Sequence, residues 1–273
     1  MTEKQPNKEF LEQLIQKAGA STLHYFQKNF IITEKSGDQG IVTEADFHSE
    51  NLIKNQIHSL FPDHDILAEE SGLTKYSTLN ENSFPTWIID PLDGTTNFSK
   101  GNPYYCVSIA FGYCINGRFK ALMGAIYQPT TNSLYFAEKG KGTFYNGTQI
   151  YISQLKEFRM ASITTGFSSN KGDTLVPLTK TILAIQNKSL GLRINGAAAL
   201  DLAHTARGIS QGFYETPLAP WDTAAGSLLI EEAGGIVTNF AGKEFCPIQD
   251  RGIIASSPHL FEELFNTIKI NYL

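Results

Sequence analysis

The chain has 273 residues, of which 41% are hydrophobic and 18% charged, with a formal net charge of −5. This composition is typical of a globular protein with a sizeable core, and the acidic balance disfavours nucleic acid as the main partner. No apolar stretch approaches the roughly 20 residues that span a bilayer, and the N-terminal residues lack the apolar core of a signal peptide. Cys106, Cys114 and Cys246 form no C-x-x-C pair. We therefore expect neither a disulfide framework nor a zinc site, and a reducing, cytoplasmic location.

The first part of the chain has apolar residues at helical spacing, which predict amphipathic helices over 8–28 and 44–60. The polar stretch 72–85 is predicted to be a loop. The apolar run 87–89 that follows it is predicted to be the end of a buried strand.

The pattern changes to that of an antiparallel sheet between 104 and 145, where apolar residues alternate with small ones. Asn116-Gly117 is a hairpin turn signal inside this region, and Asn146-Gly147 is a second hairpin signal that is predicted to end its strands. The predicted strands lie at about 107–111, 119–127, 133–137 and 142–145.

Strands alternate with helices after about residue 150. The predicted strands lie at 162–165, 236–239 and 253–256, and the predicted helices at 175–188, 197–207, 223–233 and 258–267. The predicted class is therefore α+β, with layered helices and sheets in two intimate halves, 1–148 and 149–273.

The stretch 87–98, WIIDPLDGTTNF, carries the strongest chemical signal. Asp90 and Asp93 are close enough in sequence to point the same way, and carboxylates forced together repel unless a hard cation such as Mg²⁺ lies between them. Gly94 and Thr95 follow, where backbone N–H groups at a turn or helix start are suited to hold a phosphate. One segment thus offers both metal ligands and an anion cradle, which suggests phosphoryl chemistry.

Other acidic positions have two interpretations when each is taken alone. The pair Glu69-Glu70 is more often solvated surface than a functional site. Asp222 lies at the start of a predicted helix, where its default role is N-capping. Asp46 and Thr43 fit a capping box, which is a structural feature more often than a catalytic one.

Together, these segments resemble the inositol monophosphatase family, within the superfamily of lithium-sensitive, magnesium-dependent phosphatases that includes the fructose-1,6-bisphosphatases. Five elements carry the resemblance in the right order: Lys35 with VTEAD at 42–46, EES at 69–71, the motif W-x-x-D-P-[IL]-D-G-T-x-N-F at 87–98, GAAALD at 196–201, and W-D-x-A-A-[GA] running into E-A-G-G at 221–235. Five ordered elements are far more specific than any single motif. The resemblance implies a layered αβαβα sandwich.

The resemblance also implies hydrolysis of a phosphate monoester assisted by two or three Mg²⁺ ions. The implied metal ligands are Glu69, Asp90, the backbone carbonyl of Leu92, Asp93 and Asp222, with Asp90 shared between two ions. Thr95, hydrogen-bonded to Asp46, is implied to orient the attacking water and, with Glu69, to accept its proton. The amides of Gly94 and Thr95 are implied to hold the phosphate.

On the substrate side, the resemblance implies contacts from Asp93, Glu215 and the segment Gly196, Ala197 and Ala198. It favours inositol 1-phosphate or a similar small polyol or sugar phosphate. Fructose-1,6-bisphosphate, histidinol phosphate and 3′-phosphoadenosine 5′-phosphate are the alternatives. A homodimer is expected by analogy with relatives.

The sequence departs from the family pattern at Gly40, Ala68 and Ala197, none of which is an implied metal ligand. Two other classes of function stay open. Some bacterial relatives associate with the transcription machinery, so a regulatory binding protein is one alternative, although the acidic balance offers no clear basic patch. Acid–base catalysis by paired carboxylates, as in glycosidases, is the other, and it predicts activity that survives EDTA.

Overall fold

The computed structural model describes residues 5–28, 30–34, 40–76, 83–167 and 175–272. This part of the chain contains seven α-helices: α1 (Lys8–Tyr25), α2 (Glu44–Leu60), α3 (Thr95–Ser99), α4 (Leu175–Lys188), α5 (Ala198–Ala206), α6 (Pro220–Glu232) and α7 (Pro258–Tyr272). Among these described helices, none combines the length and the apolar character that a membrane span requires.

Three sheets organise the strands. A small antiparallel pair comprises β1 (Ile32–Glu34) and β2 (Ile41–Thr43). The large sheet has eight strands: β3 (Asp65–Ala68), β4 (Gly72–Thr74), β5 (Ser83–Asp93), β6 (Cys106–Ile115), β7 (Arg118–Gln128), β8 (Ser133–Glu138), β9 (Gly142–Tyr145) and β10 (Thr148–Ile150). Their spatial order is β10-β9-β8-β7-β6-β5-β3-β4, and β3 and β5 are the parallel pair in an otherwise antiparallel sheet.

The third sheet has five strands: β11 (Ser162–Thr165), β12 (Gly191–Ile194), β13 (Gly212–Glu215), β14 (Ile236–Thr238) and β15 (Ile253–Ser256). Their order is β12-β11-β13-β15-β14, with β11 parallel to both of its neighbours.

The helices and sheets alternate in five layers. Helices α1 and α2 pack on one face of the large sheet, and α5 and α6 lie between its other face and the five-stranded sheet. Helices α4 and α7 cover the outer face of the smaller sheet. The αβαβα sandwich implied by the family resemblance is confirmed, and its middle helical layer lies between the two larger sheets.

Local sequence explains where the first helices begin. Asn7 Oδ1 accepts a hydrogen bond of 2.9 Å from the amide of Phe10, which satisfies an amide that the first turn of α1 leaves unpaired. Thr43 and Asp46 form the predicted capping box at the start of α2: Asp46 Oδ2 accepts from the Thr43 amide at 2.9 Å, and Thr43 Oγ1 accepts from the Ala45 amide at 3.2 Å.

Several predicted boundaries are wrong. The predicted loop 72–85 contains strand β4 and the first residues of β5, while residues 77–82 lie outside the described part. The missed strand β4 is short, and its residues gain strand geometry only by pairing with β3. Asn146-Gly147 makes the predicted hairpin turn, with positive φ at both residues, but the turn leads into a further strand, β10, so the predicted end of the strands at this point is wrong.

Helix ends also differ from the predictions. Helix α1 ends at Tyr25, so the predicted extension to residue 28 is wrong. The Phe26 amide makes the last helical bond, to the carbonyl of Thr22, and the backbone of Phe26 itself is no longer helical. Helix α7 continues to Tyr272, beyond the predicted end at 267, because its buried residues continue to Ile268 against the smaller sheet.

The middle layer depends on a close approach of α5 and α6 at Gly226. A Cβ atom on Gly226 would lie 2.6 Å from the Cβ and Cδ1 atoms of Leu202, too close for a real contact. Only a residue without a side chain allows the two helices to pack at this distance.

We predict that Gly226→Val lowers the free energy of unfolding by about 1–3 kcal/mol, because the added methyl groups overpack a full core. Urea denaturation followed by circular dichroism measures this. The matched control is Glu231→Ala, an exposed position on the same helix, which should cost much less. Equal stability of Gly226→Val and the wild-type protein would contradict this account of the helix contact.

Candidate active site

The end of strand β5 places two carboxylates in the buried space beside the middle layer. Ile88 packs with the α5 and α6 core, and because side chains alternate along a strand, Asp90 follows on the same face. The pairing with β6 shifts between Asp90 and Asp93, so the chain bulges there. Asp90 is 1% exposed and Asp93 9% exposed. A bulge at a strand end commonly redirects a side chain toward a site.

Strand β3 delivers Glu69 to the same edge. It runs parallel to β5 with Ala68 opposite Ile89, and the Glu69 amide donates to the carbonyl of Ile89 at 3.2 Å. The carboxyl ends of parallel strands meet at one edge of a sheet, so Glu69 lies next to Asp90. Besides burial, the charge of Glu69 raises the pKa of Asp90, as expected for two neighbouring carboxyl groups.

Helix α6 contributes Asp222 from the opposite side. The helix begins at Pro220, so Asp222 is its third residue and the predicted start at 223 with Asp222 as N-cap is wrong. Asp222 Oδ2 accepts a 2.7 Å hydrogen bond from the amide of Ala219, the residue before the helix. Proline at the first helical position requires no amide partner, which lets the helix start earlier than the apolar pattern indicates.

Asp93 joins the strand end to helix α5. Its Oδ2 accepts a 2.7 Å hydrogen bond from the amide of Ala199, in the first turn of that helix. Asp93 and Asp222 therefore each lie at the N-terminal end of a middle-layer helix, where the partial positive charge of the helix favours a carboxylate.

Asp46 lies at the start of α2 and is fully buried. Its Oδ2 is used by Thr43 in the capping box, while its Oδ1 accepts a 3.0 Å hydrogen bond from the hydroxyl of Thr95. Thr95 Oγ1 also lies 3.1 Å from the carbonyl oxygen of Leu92. One aspartate thus performs both the capping role and the contact with Thr95 that the family resemblance implied.

The electrostatic environment of these carboxylates is repulsive. Burial raises the pKa of Asp90 well above its usual range, and the charges of Glu69, Asp93 and Asp222 raise it further. Burial likewise raises the pKa of Asp222, with added repulsion from Asp93 and Glu69. Burial also raises the pKa of Asp93 to about 6, against the lowering effect of the Ala199 hydrogen bond.

The donor chemistry of this cluster fits a hard divalent cation. Every group is an oxygen donor, and mutual repulsion in a buried space is relieved by positive charge. In the described part of the chain, no three His, Cys, Asp or Glu side chains are already gathered into a closed metal-binding group. The fit therefore rests on the type, burial and shared repulsion of the donors.

Gly94 shapes the turn that follows the carboxylates. Its φ of 89° is in the left-handed region, and a Cβ atom there would lie 3.0 Å from the Tyr104 carbonyl oxygen and 3.1 Å from Ala197 Cβ. Both the conformation and the space demand glycine. In the described residues, the amides of Gly94 and Thr95 donate to no other protein group.

The residues that the family resemblance implies for the substrate side lie in the same region. Ala197 lies against Gly94, and Gly196 has a φ of 82° in the turn before α5. Glu215 ends strand β13 and is 7% exposed. Burial raises its pKa well above the usual range, followed by the charges of Asp222, Asp201 and Asp93, so Glu215 faces the same acidic cluster.

The sequence reasoning missed two polar residues of α2 and a polar group near α5. Ser49 Oγ donates to the carbonyl of Pro91 at 3.0 Å, and Glu50 Oε2 accepts from the Glu70 amide at 2.8 Å. Ser49 lies three positions and Glu50 four positions after Asp46, so the helical spacing predicts that they share its face of α2. The second missed group is Asn97, Tyr104, Asn195, Asp201 and His204, which are far apart in sequence. Lys35, assigned to the first family element, lies outside the described residues.

The model of the inositol monophosphatase family matches residues 3–271 of this chain. The chain belongs to the inositol monophosphatase family. It is 37% identical to inositol monophosphatase 2 of Solanum lycopersicum, over 95% of this chain and 98% of that protein. It is also 37% identical to Nus factor SuhB of Vibrio cholerae, over 88% of this chain and 87% of that protein.

The fold agrees with a solved structure of the same family. The extragenic suppressor protein suhB from Bartonella henselae superposes with a TM-score of 0.86 at 33% identity, covering 96% of this chain and 97% of that one. The family membership expected from the five sequence elements is therefore confirmed, and it indicates phosphatase chemistry of this superfamily.

Asp201, on helix α5, allows a prediction about pH. It is 1% exposed, and burial raises its pKa from 3.8 to about 7, against hydrogen bonds from Tyr104 and Asn195 that lower it. The folded chain therefore holds this proton to a higher pH than the unfolded chain. The contribution of Asp201 to stability is lost as the pH rises from about 4 through about 7.

We predict that Asp201→Asn, which removes this titration, is more stable than the wild-type protein at pH 8 by on the order of 1–3 kcal/mol, with a smaller difference at pH 5. Urea denaturation in EDTA at both pH values measures the difference. Asp63→Asn, at an exposed position, should show no such trend. A gap between Asp201→Asn and wild type that does not change with pH would contradict the prediction.

Proposed function

We propose that this protein is a Mg²⁺-dependent phosphomonoesterase that hydrolyses inositol 1-phosphate or a similar small polyol phosphate with an activated water molecule. The observation that carries the proposal is the 3.0 Å hydrogen bond from Thr95 to the buried Asp46. It lies next to an acidic cluster whose oxygen donors suit a divalent cation. This arrangement supports the roles that family membership suggests for these residues.

The proposed metal-binding residues are Glu69, Asp90, the Leu92 carbonyl, Asp93 and Asp222. Mg²⁺ bound there would supply a water of lowered pKa and neutralise charge on the phosphoryl oxygens. The chain itself keeps these ligands in place. Asp93 is oriented by the Ala199 amide and Asp222 by the Ala219 amide, so both carboxylates are held before any ligand arrives.

Thr95 is the proposed orienting residue for the attacking water. Its proton is directed to Asp46 Oδ1 or to the Leu92 carbonyl, so its remaining lone pairs face outward as acceptors. Burial raises the pKa of Asp46 to about 6, which leaves this carboxylate mostly ionised at neutral pH and able to hold the Thr95 proton. Thr95 then accepts a hydrogen bond from water, and Glu69 shares the role of proton acceptor.

The phosphate is proposed to bind at the amides of Gly94 and Thr95. These groups have no protein acceptor among the described residues, and the absence of a side chain on Gly94 leaves them accessible. Unpaired amides that follow one another around a left-handed residue are a common way to bind an anion.

Glu215, with Asp93 and the segment Gly196, Ala197 and Ala198, is proposed to recognise the alcohol half of the substrate. No hydrogen bond from a described residue reaches the Glu215 carboxylate, which leaves its oxygens as acceptors for polyol hydroxyl groups. Gly166 controls where this side chain lies, because a Cβ atom on Gly166 would overlap the carboxylate of Glu215. Its φ is not positive, so the space alone requires glycine.

We predict that Asp90→Asn lowers Mg²⁺-dependent phosphate release from inositol 1-phosphate by more than about 100-fold. Mutation of residues that only support metal ligands already lowers metal affinity or activity by about 10–100-fold. Phosphate release with and without Mg²⁺ measures the effect, and circular dichroism establishes folding. The matched control is Asp63→Asn, an exposed aspartate outside the site. Near-normal turnover by folded Asp90→Asn would disprove the metal assignment.

We predict that Glu215→Gln and Gly166→Ala share one kinetic signature. Each should raise KM or lower kcat for inositol 1-phosphate about tenfold while changing p-nitrophenyl phosphate hydrolysis much less, because the aryl ester has no hydroxyls for Glu215 to accept. Glu262→Gln on the exposed face of α7 is the control. Equal effects on both esters would remove Glu215 from the substrate role.

A second candidate is a regulatory protein that binds the transcription machinery. It is favoured by the 37% identity to Nus factor SuhB of Vibrio cholerae. A panel of phosphate esters, including fructose-1,6-bisphosphate, histidinol phosphate and 3′-phosphoadenosine 5′-phosphate, separates the candidates. Release of phosphate from a panel member that EDTA abolishes supports the phosphatase. No release from any member, together with co-elution with RNA polymerase, supports the regulatory protein.

A further inference from the structure

A group of buried polar side chains outside the proposed machinery surrounds Asp201. Asp201 Oδ1 accepts a hydrogen bond of 2.5 Å from the Tyr104 hydroxyl and one of 2.7 Å from Asn195 Nδ2. Asp201 has no ion-pair partner among the described residues. Burying a carboxylate without a cation is costly unless hydrogen bonds compensate the lost hydration. These two bonds provide that compensation, and they tie Tyr104 and Asn195 to Asp201.

The partners of Asp201 are also joined through their backbones. Asn97 Nδ2 donates to the carbonyl oxygens of Tyr104 and Asn195, at 2.8 Å each. Asp201 therefore connects the two side chains while Asn97 connects the two main chains. Together the four residues form a closed ring of hydrogen bonds, which we call the Tyr104–Asn195 clamp.

The clamp crosses between segments on the two sides of the site. Asn97 and Tyr104 belong to the segment that follows the proposed phosphate turn at Gly94, whereas Asn195 and Asp201 flank the proposed substrate segment 196–198. A Cβ atom on Gly94 would lie 3.0 Å from the Tyr104 carbonyl oxygen and 3.1 Å from Ala197 Cβ, so the phosphate turn is close to residues of both connected segments. The ring thus determines how far the two segments stand apart.

His204 holds the Tyr104 end of the clamp. Its Nδ1 lies 3.2 Å from the Tyr104 hydroxyl oxygen, and burial, followed by the charge of Arg207, lowers the pKa of His204 to about 4. The Tyr104 hydroxyl donates to Asp201, and a neutral imidazole with its proton on Nδ1 can donate to the phenol oxygen, as Asn195 Nδ2 does at 3.4 Å. The phenol is therefore fixed by three neighbours.

We propose that Asp201 is a positioning residue: through Tyr104 and Asn195 it holds the substrate segment 196–198 at a fixed distance from the phosphate turn. This inference rests on the proposed function for its kinetic consequence, but the clamp itself is a structural statement. Loss of the clamp should shift the alcohol half of the substrate relative to the reacting phosphate, and misplacement of about 1 Å is enough to slow catalysis strongly.

The test compares four variants of the full chain. Asp201→Leu removes both hydrogen bonds and Tyr104→Phe removes one, whereas Asp201→Asn keeps the Oδ1 acceptor and both bonds. Thr205→Val is the matched control: it lies on the same helix, is buried, and loses a 2.6 Å hydrogen bond to Ser210 and a 2.8 Å bond to the backbone carbonyl of Asp201. Neither bond involves the Asp201 carboxylate, so neither is part of the clamp. It reports general damage to α5.

Two measurements are made on each variant. Amide hydrogen exchange is followed at Ala199, whose amide donates to Asp93 between the two segments, and at Phe98, whose amide donates to the Gly94 carbonyl within the phosphate turn. Steady-state kinetics give KM and kcat for inositol 1-phosphate and p-nitrophenyl phosphate. Asp201→Leu should accelerate exchange at both amides and raise KM for inositol 1-phosphate, each about tenfold. Tyr104→Phe should do the same to a smaller extent, and it carries the test if Asp201→Leu does not fold.

Exchange no faster than in the wild-type protein and an unchanged KM in Asp201→Asn and Thr205→Val support the proposal. Wild-type exchange and KM in Tyr104→Phe and Asp201→Leu would overturn it, as would the same changes in Thr205→Val. If the wild-type protein hydrolyses neither ester, the proposed function fails, while the exchange measurement still decides whether the clamp exists.

Discussion

The repulsion between buried carboxylates is the constraint on which the rest of the structure depends. Asp90, Asp93 and Glu215 are buried and Asp222 is partly buried beside them, and burial together with the charges of neighbouring carboxylates raises the pKa of each. Such a cluster is stable only if hydrogen bonds orient the carboxylates or positive charge lies near them. The fold supplies the hydrogen bonds: amides at the starts of α5 and α6 donate to Asp93 and Asp222. The αβαβα layering buries these helix ends between two sheets, and the remaining repulsion is what makes a divalent cation a fitting ligand.

Structural and proposed chemical roles coincide in the same atoms. Asp46 starts helix α2 through one carboxylate oxygen and contacts Thr95 through the other. Asp222 completes the N-terminal turn of α6 while facing the acidic cluster. A capping interpretation and a functional interpretation are therefore not alternatives at these positions, because a carboxylate has two oxygens and each can serve a different partner.

Some of the site was accessible from sequence because its signals are local. The capping box of Thr43 and Asp46, the strand that leads to Asp90, and the helix over 44–60 follow from spacing and composition within a few residues. Strand β4 was missed because its three residues become a strand only by pairing with β3. The start of α6 was missed because Pro220 and Trp221 do not show helical periodicity. Ser49 and Glu50 carry a local signal, their helical spacing from Asp46, whereas the Tyr104–Asn195 clamp joins residues separated by about a hundred positions and has no local signal.

The sequence by itself determined the class of the fold, the family and the oxygen-rich chemistry of the acidic residues, since these depend on residue types and their order along the chain. Only the tertiary structure decided which carboxylates face one another, which oxygen of Asp46 meets Thr95, and that Gly166 leaves room for Glu215. The physical reason is that hydrogen bonds and charge repulsion act over a few ångströms in space. The distance between two residues of different layers is settled by how the sheets and helices pack, which no short stretch of sequence encodes.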